Sequence, residues 1–537
     1  MQMPDSAKWR QAVEEELDSM RKNEVFQEVD RREAVEAGSK ILRLFWLFKR
    51  KYNAEGKIIK YKARLVVLGN EQESGIDYFE NYAPVVNIES LRVLLAFIVK
   101  YDMKFKVADV VTAFLNGSLE GEPPTYTNHP PGCAASSNTC LQLLKALYGL
   151  KVSPRKWCEK LTGILIKMGF QRCLYDRCVY VLNIQLGRMV VCVWVDDLPC
   201  GCSNERVWKW FIDTISQEID IQDGGDCTSL CGLCIVKKED GSYLLSQPAY
   251  ISQILAKFGL SEKHSNFSKT LPDIANLLNQ PAKPLEKDKL VNYRAAVGAL
   301  RWLERATMPV ITFLVNQLAK YNQNPTESHY KALKQTLRFV GGLQDYALIF
   351  RKRAGDVKLA NIVVGFSDAN LGDHLETKAN SGHITFVWGM PVAWSGRKQS
   401  LTADSTATAE YVAMAVGAKT LLWIRFLVHE ILSYLDTENL THNSHTIFIA
   451  KQENVFPAIM FGDNNASLQN VNDIHVFSKA QRHLARKYHL VRELVLSGDV
   501  VVKRVSSEDN IADIFTKRVT RQTFEKFRDV LLEKKMR

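Results

Sequence analysis

Three aspartates stand where chemistry could be done. Asp109 closes the apolar run FKVADVV at 105–111, and Asp196 and Asp197 follow RMVVCVWV at 188–195. Each sits where a β-rich run meets a turn, which can leave its carboxylate at a sheet edge. Adjacent carboxylates repel and resist ionising together unless something neutralises them. Mg²⁺ does so, because it takes oxygen ligands from one or two carboxylates and completes its shell with phosphates or water. Two such ions about 4 Å apart clamp the entering and leaving oxygens of an in-line displacement. Taken alone, Asp196-Asp197 is also the composition of an ordinary turn.

Four further acids are spread through the last third: Asp368 in GFSDAN, Glu410 in STATAEYV, Asp463 in FGDNNASL and Asp513 in EDNIADIFTK. The flanking patterns predict, in order, a strand, a helix, a strand end and a helix start. If these side chains converge on two metal ions, the attacking group would be water. Any one of them alone reads as a solvated surface residue.

These residues need elements to position them. The spacing predicts a helix over 5–22, with Trp9, Val13, Leu17 and Met20 on one face. Two strands follow around a turn at Asn53–Gly56, with Lys49, Arg50, Lys51, Lys57, Lys60, Lys62 and Arg64 interleaved among apolar residues. Helices are expected at 88–101 and 154–169, a Pro- and Gly-rich loop at 125–140, and a strand turning into a helix at 243–259. The polar stretch 261–290, with Pro272, Pro281 and Pro284, reads as a linker. Helices dominate 291–346, and a new strand–helix pattern runs from 361 to the end.

The chain has 537 residues, 46% hydrophobic and 24% charged, and a net charge of +11. That composition is globular, and the length implies several domains. The basic excess suits a polyanionic partner. No apolar leader is readable at the start, and runs such as 91–99 are too short to cross a bilayer. The eleven cysteines all lie between Cys133 and Cys234. Cys227, Cys231 and Cys234 lack a partner cluster at zinc spacing and read as buried or incidental thiols.

The text around the aspartates narrows the class. KVADVVTAFLNG and VWVDDL resemble motifs A and C of reverse transcriptases in their copia-type form. YKARLVVLGNEQESGIDYFENYAPVV, LLKALYGLKVSPRKWCEKL, SQPAYISQILAKFGL, YRAAVGALRWL and NPTESHYKALKQTLRFVGG resemble further segments of the same family, in the same order. The carboxylate series, with GMPVAWSGRKQ and ADIFTK beside it, resembles ribonuclease H. The chain is thus similar to the reverse transcriptase and ribonuclease H portion of a copia-type (Pseudoviridae-like) retrotransposon Pol polyprotein.

That resemblance implies an α+β, multidomain protein. Its parts would be an N-terminal helical segment at 1–35, fingers and palm at 36–245, thumb and linker at 246–290, a helical connection at 291–355 and a ribonuclease H-like α/β domain at 356–537. It implies RNA-directed DNA synthesis and cleavage of RNA in the RNA–DNA hybrid. Asp109, Asp196 and Asp197 would hold one pair of Mg²⁺ or Mn²⁺ ions; Asp368, Glu410, Asp463 and Asp513 would hold another. Lys62 and Arg64 fall where the fingers meet the incoming triphosphate, Phe114 where a ring abuts the sugar and rejects a 2′-hydroxyl, and Tyr148 and Gly149 near the template and nucleotide bases. Partners would be RNA template, DNA primer, hybrid and deoxynucleotides, with an upstream integrase domain or self-association. No membrane is implied; the setting would be a cytoplasmic virus-like particle, with a nuclear phase. Two positions depart from the family text: Trp194 replaces the usual Tyr, and Ala485 stands where an Asp is common. The other reading these departures leave open is a decayed or domesticated nucleic-acid-binding remnant.

Overall fold

The structure, a computed structural model, describes residues 5–52, 58–133, 136–260, 266–352, 362–371, 378–435, 456–472 and 488–535. The turn expected at Asn53–Gly56 and the departure at Ala485 lie outside the described residues.

Period-two patterning builds the central sheet. Its six strands run in the order Ile221–Asp226, Lys104–Val110, Asp197–Cys202, Gly187–Cys192, Val179–Ile184 and Gln171–Arg172, antiparallel throughout. Alternate residues face opposite ways. Val179, Val181, Val190 and Cys192 join the core under the helix Ile88–Lys100. Tyr180, Leu182, Met189 and Val191 join the core built by Trp157, Leu161 and Leu165 of Ser153–Lys167 and by Val207, Trp208 and Phe211 of Glu205–Ile215.

Two strands, Leu44–Tyr52 and Ile58–Val67, form a separate basic hairpin with Lys49 opposite Lys62 and Leu47 opposite Arg64. The helix Ser6–Lys22 lies against it. Trp9 meets Phe48 and Tyr61 edge-on, with centroids 5.2 and 4.7 Å away. The buried face of that helix is turned from the expected one. Ala12, Glu16, Leu17 and Met20 are buried, whereas Trp9 and Val13 are half-covered.

The segment expected to be a loop at 125–140 is a correction. Thr125–Thr127 and Thr139–Leu143 are strands of a four-stranded sheet with Phe26–Asp30 and Ile41–Leu42. Turn-formers fill the connection while short apolar ends pair, and a partner as distant in sequence as Phe26–Asp30 is from Thr139–Leu143 leaves no local trace. The described part of the stretch read as a linker is packed. Phe267 lies against Gly341, and the Leu278 carbonyl accepts from His329 Nε2 at 3.0 Å, since Nδ1 of that ring accepts from the Thr326 N–H. Helices Lys287–Ala306, Thr312–Ala319 and Glu327–Gly342 follow as expected. A further sheet then gathers Ser229–Leu230, Leu233–Lys237, Tyr243–Ser246, Tyr346–Phe350 and the C-terminal Leu532–Lys534.

The last third folds around a five-stranded sheet in the order Met390–Lys398, Asn380–Val387, Val363–Asn370, Ala458–Gly462, Val500–Arg504. The first three strands are antiparallel to one another and the last two join in parallel. The helix Thr406–Leu435 packs on this sheet. It is long and apolar enough to cross a membrane by length and composition, a run the sequence reading passed over, but most of it is buried inside the molecule. Its far end docks on the central sheet. Glu430 accepts from the backbone N–H of Leu174 (2.8 Å) and Tyr175 (3.3 Å), and Trp423 Nε1 donates to the Tyr175 carbonyl at 2.8 Å.

Candidate active sites

The first site is set by strand register. Asp109 lies directly opposite Asp197, so two carboxylates stand across one antiparallel pair. Asp196 belongs to the turn just before, and its carbonyl accepts from Val110 N at 2.9 Å. The β-run ends earlier than expected: the strand stops at Cys192, and Trp194 and Asp197 exchange backbone bonds of 2.9 and 3.0 Å around Val195 and Asp196. Val195 takes a positive φ of 59°, which a β-branched residue rarely adopts. Trp157 steadies that strained turn, because its Nε1 donates to the Val195 carbonyl at 2.7 Å. Trp157 was not singled out from the sequence. Its partner is a backbone carbonyl 38 residues away, which no spacing rule exposes.

Above the aspartates opens a cavity of about 480 Å³, bounded by Asp109, Asp196 and Asp197 on one side and Lys49, Lys60, Lys62 and Arg64 of the hairpin on the other. Tyr148 also lines it. Arg64 lies over the Tyr148 ring at 4.8 Å, and burial pushes the Tyr148 hydroxyl up to about 12. The two remaining candidates stand back from the cavity wall. Phe114 is half-buried in the short helix Ala113–Asn116 and meets Tyr148 edge-on at 5.4 Å. Gly149 has a φ of +94°, and a Cβ there would come within 2.1 Å of the Val67 carbonyl. Its glycine identity is explained by this close approach to the hairpin strand.

The N-terminal helix adds acids that the sequence reading did not select. Glu15 and Glu16 line the same cavity. Glu16 is 8% exposed, accepts from the Leu65 N–H and has Lys62 and Arg64 as its charged neighbours; burial pushes its carboxyl above the ordinary range. An acid on the buried stripe of a helix was the available signal: Ala12, Glu16 and Met20 fall four residues apart.

The second site is convergent. Asp368 on Val363–Asn370, Glu410 on Thr406–Leu435 and Asp463 just after Ala458–Gly462 bring carboxylate oxygens within 4.8 Å of one another. Among the described residues this is the one group of acids gathered so tightly. Asp513 opens the short helix Asp513–Thr516 beside it and interacts with Asp368. Burial first, and then Asp368 and Asp463, push Glu410 up to about 9. Burial and Asp368 push Asp513 up to about 8. Carboxyls crowded in this way accept a divalent cation readily, because it removes the repulsion that opposes their ionisation. Lys517 partly serves that end here. Its Nζ lies 3.0 Å from Asp513 Oδ1 and 3.8 Å from Asp368 Oδ1, while Thr516 donates to Asp368. Lys517 follows Asp513 by four residues, at the end of that short helix.

The fold and these two acid clusters define a mixed α/β, multidomain protein with a reverse transcriptase domain. Residues 23–274 match the family model described as reverse transcriptase (RNA-dependent DNA polymerase). Over nearly its whole length the chain matches copia-type Pol polyproteins of retrotransposons. It is 30% identical over 97% of its length to the retrovirus-related Pol polyprotein from transposon RE2 of Arabidopsis thaliana, and covers 34% of that protein. It is 29% identical over 97% of its length to the polyprotein from transposon TNT 1-94 of Nicotiana tabacum, covering 37% of it. The chain therefore spans about a third of the curated relatives it matches. A ribonuclease H1 from the archaeon Halobacterium salinarum is 16% identical, with 29% of this chain and 93% of that one covered at a TM-score of 0.19.

Proposed function

We propose that this chain copies RNA into DNA at the first site and cleaves the RNA of the resulting hybrid at the second. The observation that carries the polymerase reading is the register that sets Asp109 against Asp197, with Asp196 in the adjoining turn, across a cavity from Lys62 and Arg64. Carboxylates on one wall and cations on the other suit a metal-bound triphosphate. Two Mg²⁺ or Mn²⁺ ions, held by Asp109, Asp196 and Asp197, would supply charge neutralisation at the transferring phosphoryl group. Arg64 and Lys62 orient the triphosphate, Arg64 through its planar fork. Tyr148 flanks the nucleotide, and Phe114 behind it limits the space beside the sugar. Gly149 lets the segment approach the hairpin closely.

In the second site Asp368, Glu410, Asp463 and Asp513 would hold a second pair of ions, supplying an activated water. This reading places fingers and palm at 36–245, the thumb in 246–290, the connection at 291–355 and the nuclease beyond. Deoxynucleotides, an RNA template, a DNA primer and the hybrid are the substrates.

Primer extension on poly(rA)/oligo(dT) with Mg²⁺ or Mn²⁺ tests the proposal. Extension that disappears in Asp196→Asn is the expected result. Duplex binding without extension in the unaltered chain would identify a binding remnant instead.

A further inference from the structure

The buried acid on the N-terminal helix needs an account. Burying a carboxylate costs several kcal/mol of hydration, which pairing must offset. Glu16 is 8% exposed, and one of its oxygens, Oε1, has no hydrogen-bond partner; Nε of Arg64, facing the same cavity, has none either. The pairing of Glu16 with the hairpin cations is therefore electrostatic and incomplete. The helix is fastened at both ends, which fixes where Glu16 stands. Asp5 pairs with Arg50 of the hairpin at 3.2 Å, and Lys22 pairs with Asp220 beside the central sheet at 2.9 Å. Four cations and five carboxylates line the cavity, and Glu16 has Lys62 and Arg64 as its charged neighbours.

We propose that Glu16 is a positioning residue of the polymerase site: its carboxylate holds Lys62 and Arg64 in place as an internal stand-in for a triphosphate, and competes with the incoming nucleotide for them. This rests on the reading of Lys62 and Arg64 as triphosphate contacts. An anion beside the two cations keeps them extended over the aspartates when no nucleotide is bound. The same anion weakens their attraction for phosphate, so nucleotide affinity is set below what the cations alone would give. Glu16 touches no reacting atom in this account; it acts through Arg64 and Lys62.

The test uses the full chain on a primer–template whose primer ends in a dideoxynucleotide, so that no chemistry intervenes. The next complementary dNTP is titrated at alkaline pH, and survival of the complex against a heparin trap is read. Glu16→Gln keeps size and removes charge. It is expected to tighten dNTP about fivefold, as loss of one partly screened charge would, with duplex affinity unchanged. The effect should shrink when Lys62→Met is added, and Glu14→Gln, on the exposed face, should behave as the unaltered chain. Unchanged dNTP affinity in Glu16→Gln overturns the proposal. So does weaker affinity accompanied by a lower melting temperature, which would make Glu16 a strut for the hairpin. If the unaltered chain binds duplex but no dNTP stabilises the complex, the assignment of Lys62 and Arg64 fails first and takes this inference with it.

Discussion

The two acid clusters solve one problem in opposite ways. Asp109 is exposed and Asp196 and Asp197 are half-exposed, placed by strand register and a two-residue turn. Asp368, Glu410 and Asp513 are buried; Asp368, Glu410 and Asp463 bring oxygens within 4.8 Å of one another, and Asp513 adjoins Asp368 from a fourth element. The open site shares its charge with solvent and with cations across a cavity. The closed site stores repulsion, which Lys517 relieves only in part. An open site leaves room for a large, highly charged substrate to approach its carboxylates. A closed site is prepared for metal before substrate, because its acids oppose one another until a cation enters. The difference also says where each is fragile: the first depends on backbone geometry, the second on charge balance.

The sharpest way to break this comparison is to disable one site and measure the other. Asp463→Asn keeps size and removes a charge from the crowded cluster. It should reduce cleavage of RNA in a labelled hybrid by roughly a thousandfold or more and leave primer extension intact. Asp197→Asn should do the reverse. Charge effects are screened beyond about 10 Å in physiological salt, so neither change should reach the other cluster. Loss of both activities from Asp463→Asn, in a protein that still melts normally, would show that the sites are not independent.

A smaller effect tests the open site's shape. Phe114→Val shortens the ring that stands behind Tyr148 at 5.4 Å. Ribonucleotide rejection in extension assays should fall by roughly tenfold or more while cleavage is unaffected. An unchanged discrimination ratio would make Phe114 a packing residue only. The claim that this site depends on backbone geometry is tested by Trp157→Phe. It removes the bond to the Val195 carbonyl and leaves a strained turn unsupported. A lost hydrogen bond of about 1 kcal/mol predicts a fall in extension of roughly fivefold, with the hybrid still cleaved at the original rate. Equal losses in both assays would point to general unfolding.

How much of this was legible beforehand depended on whether the signal was local. The basic hairpin, the helix at Ile88–Lys100 and the strands bearing Asp109 and Asp368 follow from periodicity and turn residues, and the structure has them. Motif order carried the seven metal-ligand candidates; periodicity alone had no means of showing that Asp368, Glu410 and Asp463 meet. What escaped was set by tertiary pairing. The C-terminal strand Leu532–Lys534 pairs with Tyr346–Phe350, nearly two hundred residues away, and its three residues have no strand pattern of their own. Trp157 and Lys517 act through partners that chemistry alone does not single out. Glu16 is the instructive case, because Glu14, Glu15 and Glu16 are one chemical string and only helix phase distinguishes the buried one.

The smallest effect concerns the charge stored in the closed site, read as stability rather than rate. In the unfolded chain Glu410 titrates near its ordinary 4.5, whereas in the fold burial, Asp368 and Asp463 raise it to about 9. Asp513, ordinarily at 3.8, rises to about 8 through burial and Asp368, opposed by Lys517. Between these limits the folded state binds more protons than the unfolded one, so stability must fall as pH rises. Metal-free protein in EDTA should therefore lose stability across roughly pH 5 to 9, on the order of 2 kcal/mol after allowance for relaxation and for Lys517. Excess Mg²⁺ should flatten that slope, because the cation takes over the neutralisation that protons supply. Glu410→Gln should flatten it too, without metal, and raise the melting temperature at alkaline pH while abolishing cleavage. Thermal melts at fixed ionic strength, with and without Mg²⁺, measure both. A melting temperature in EDTA that rises with pH over this range would mean the acids ionise freely in the fold, and the contrast between a closed, charge-strained site and an open, geometry-held one would be lost.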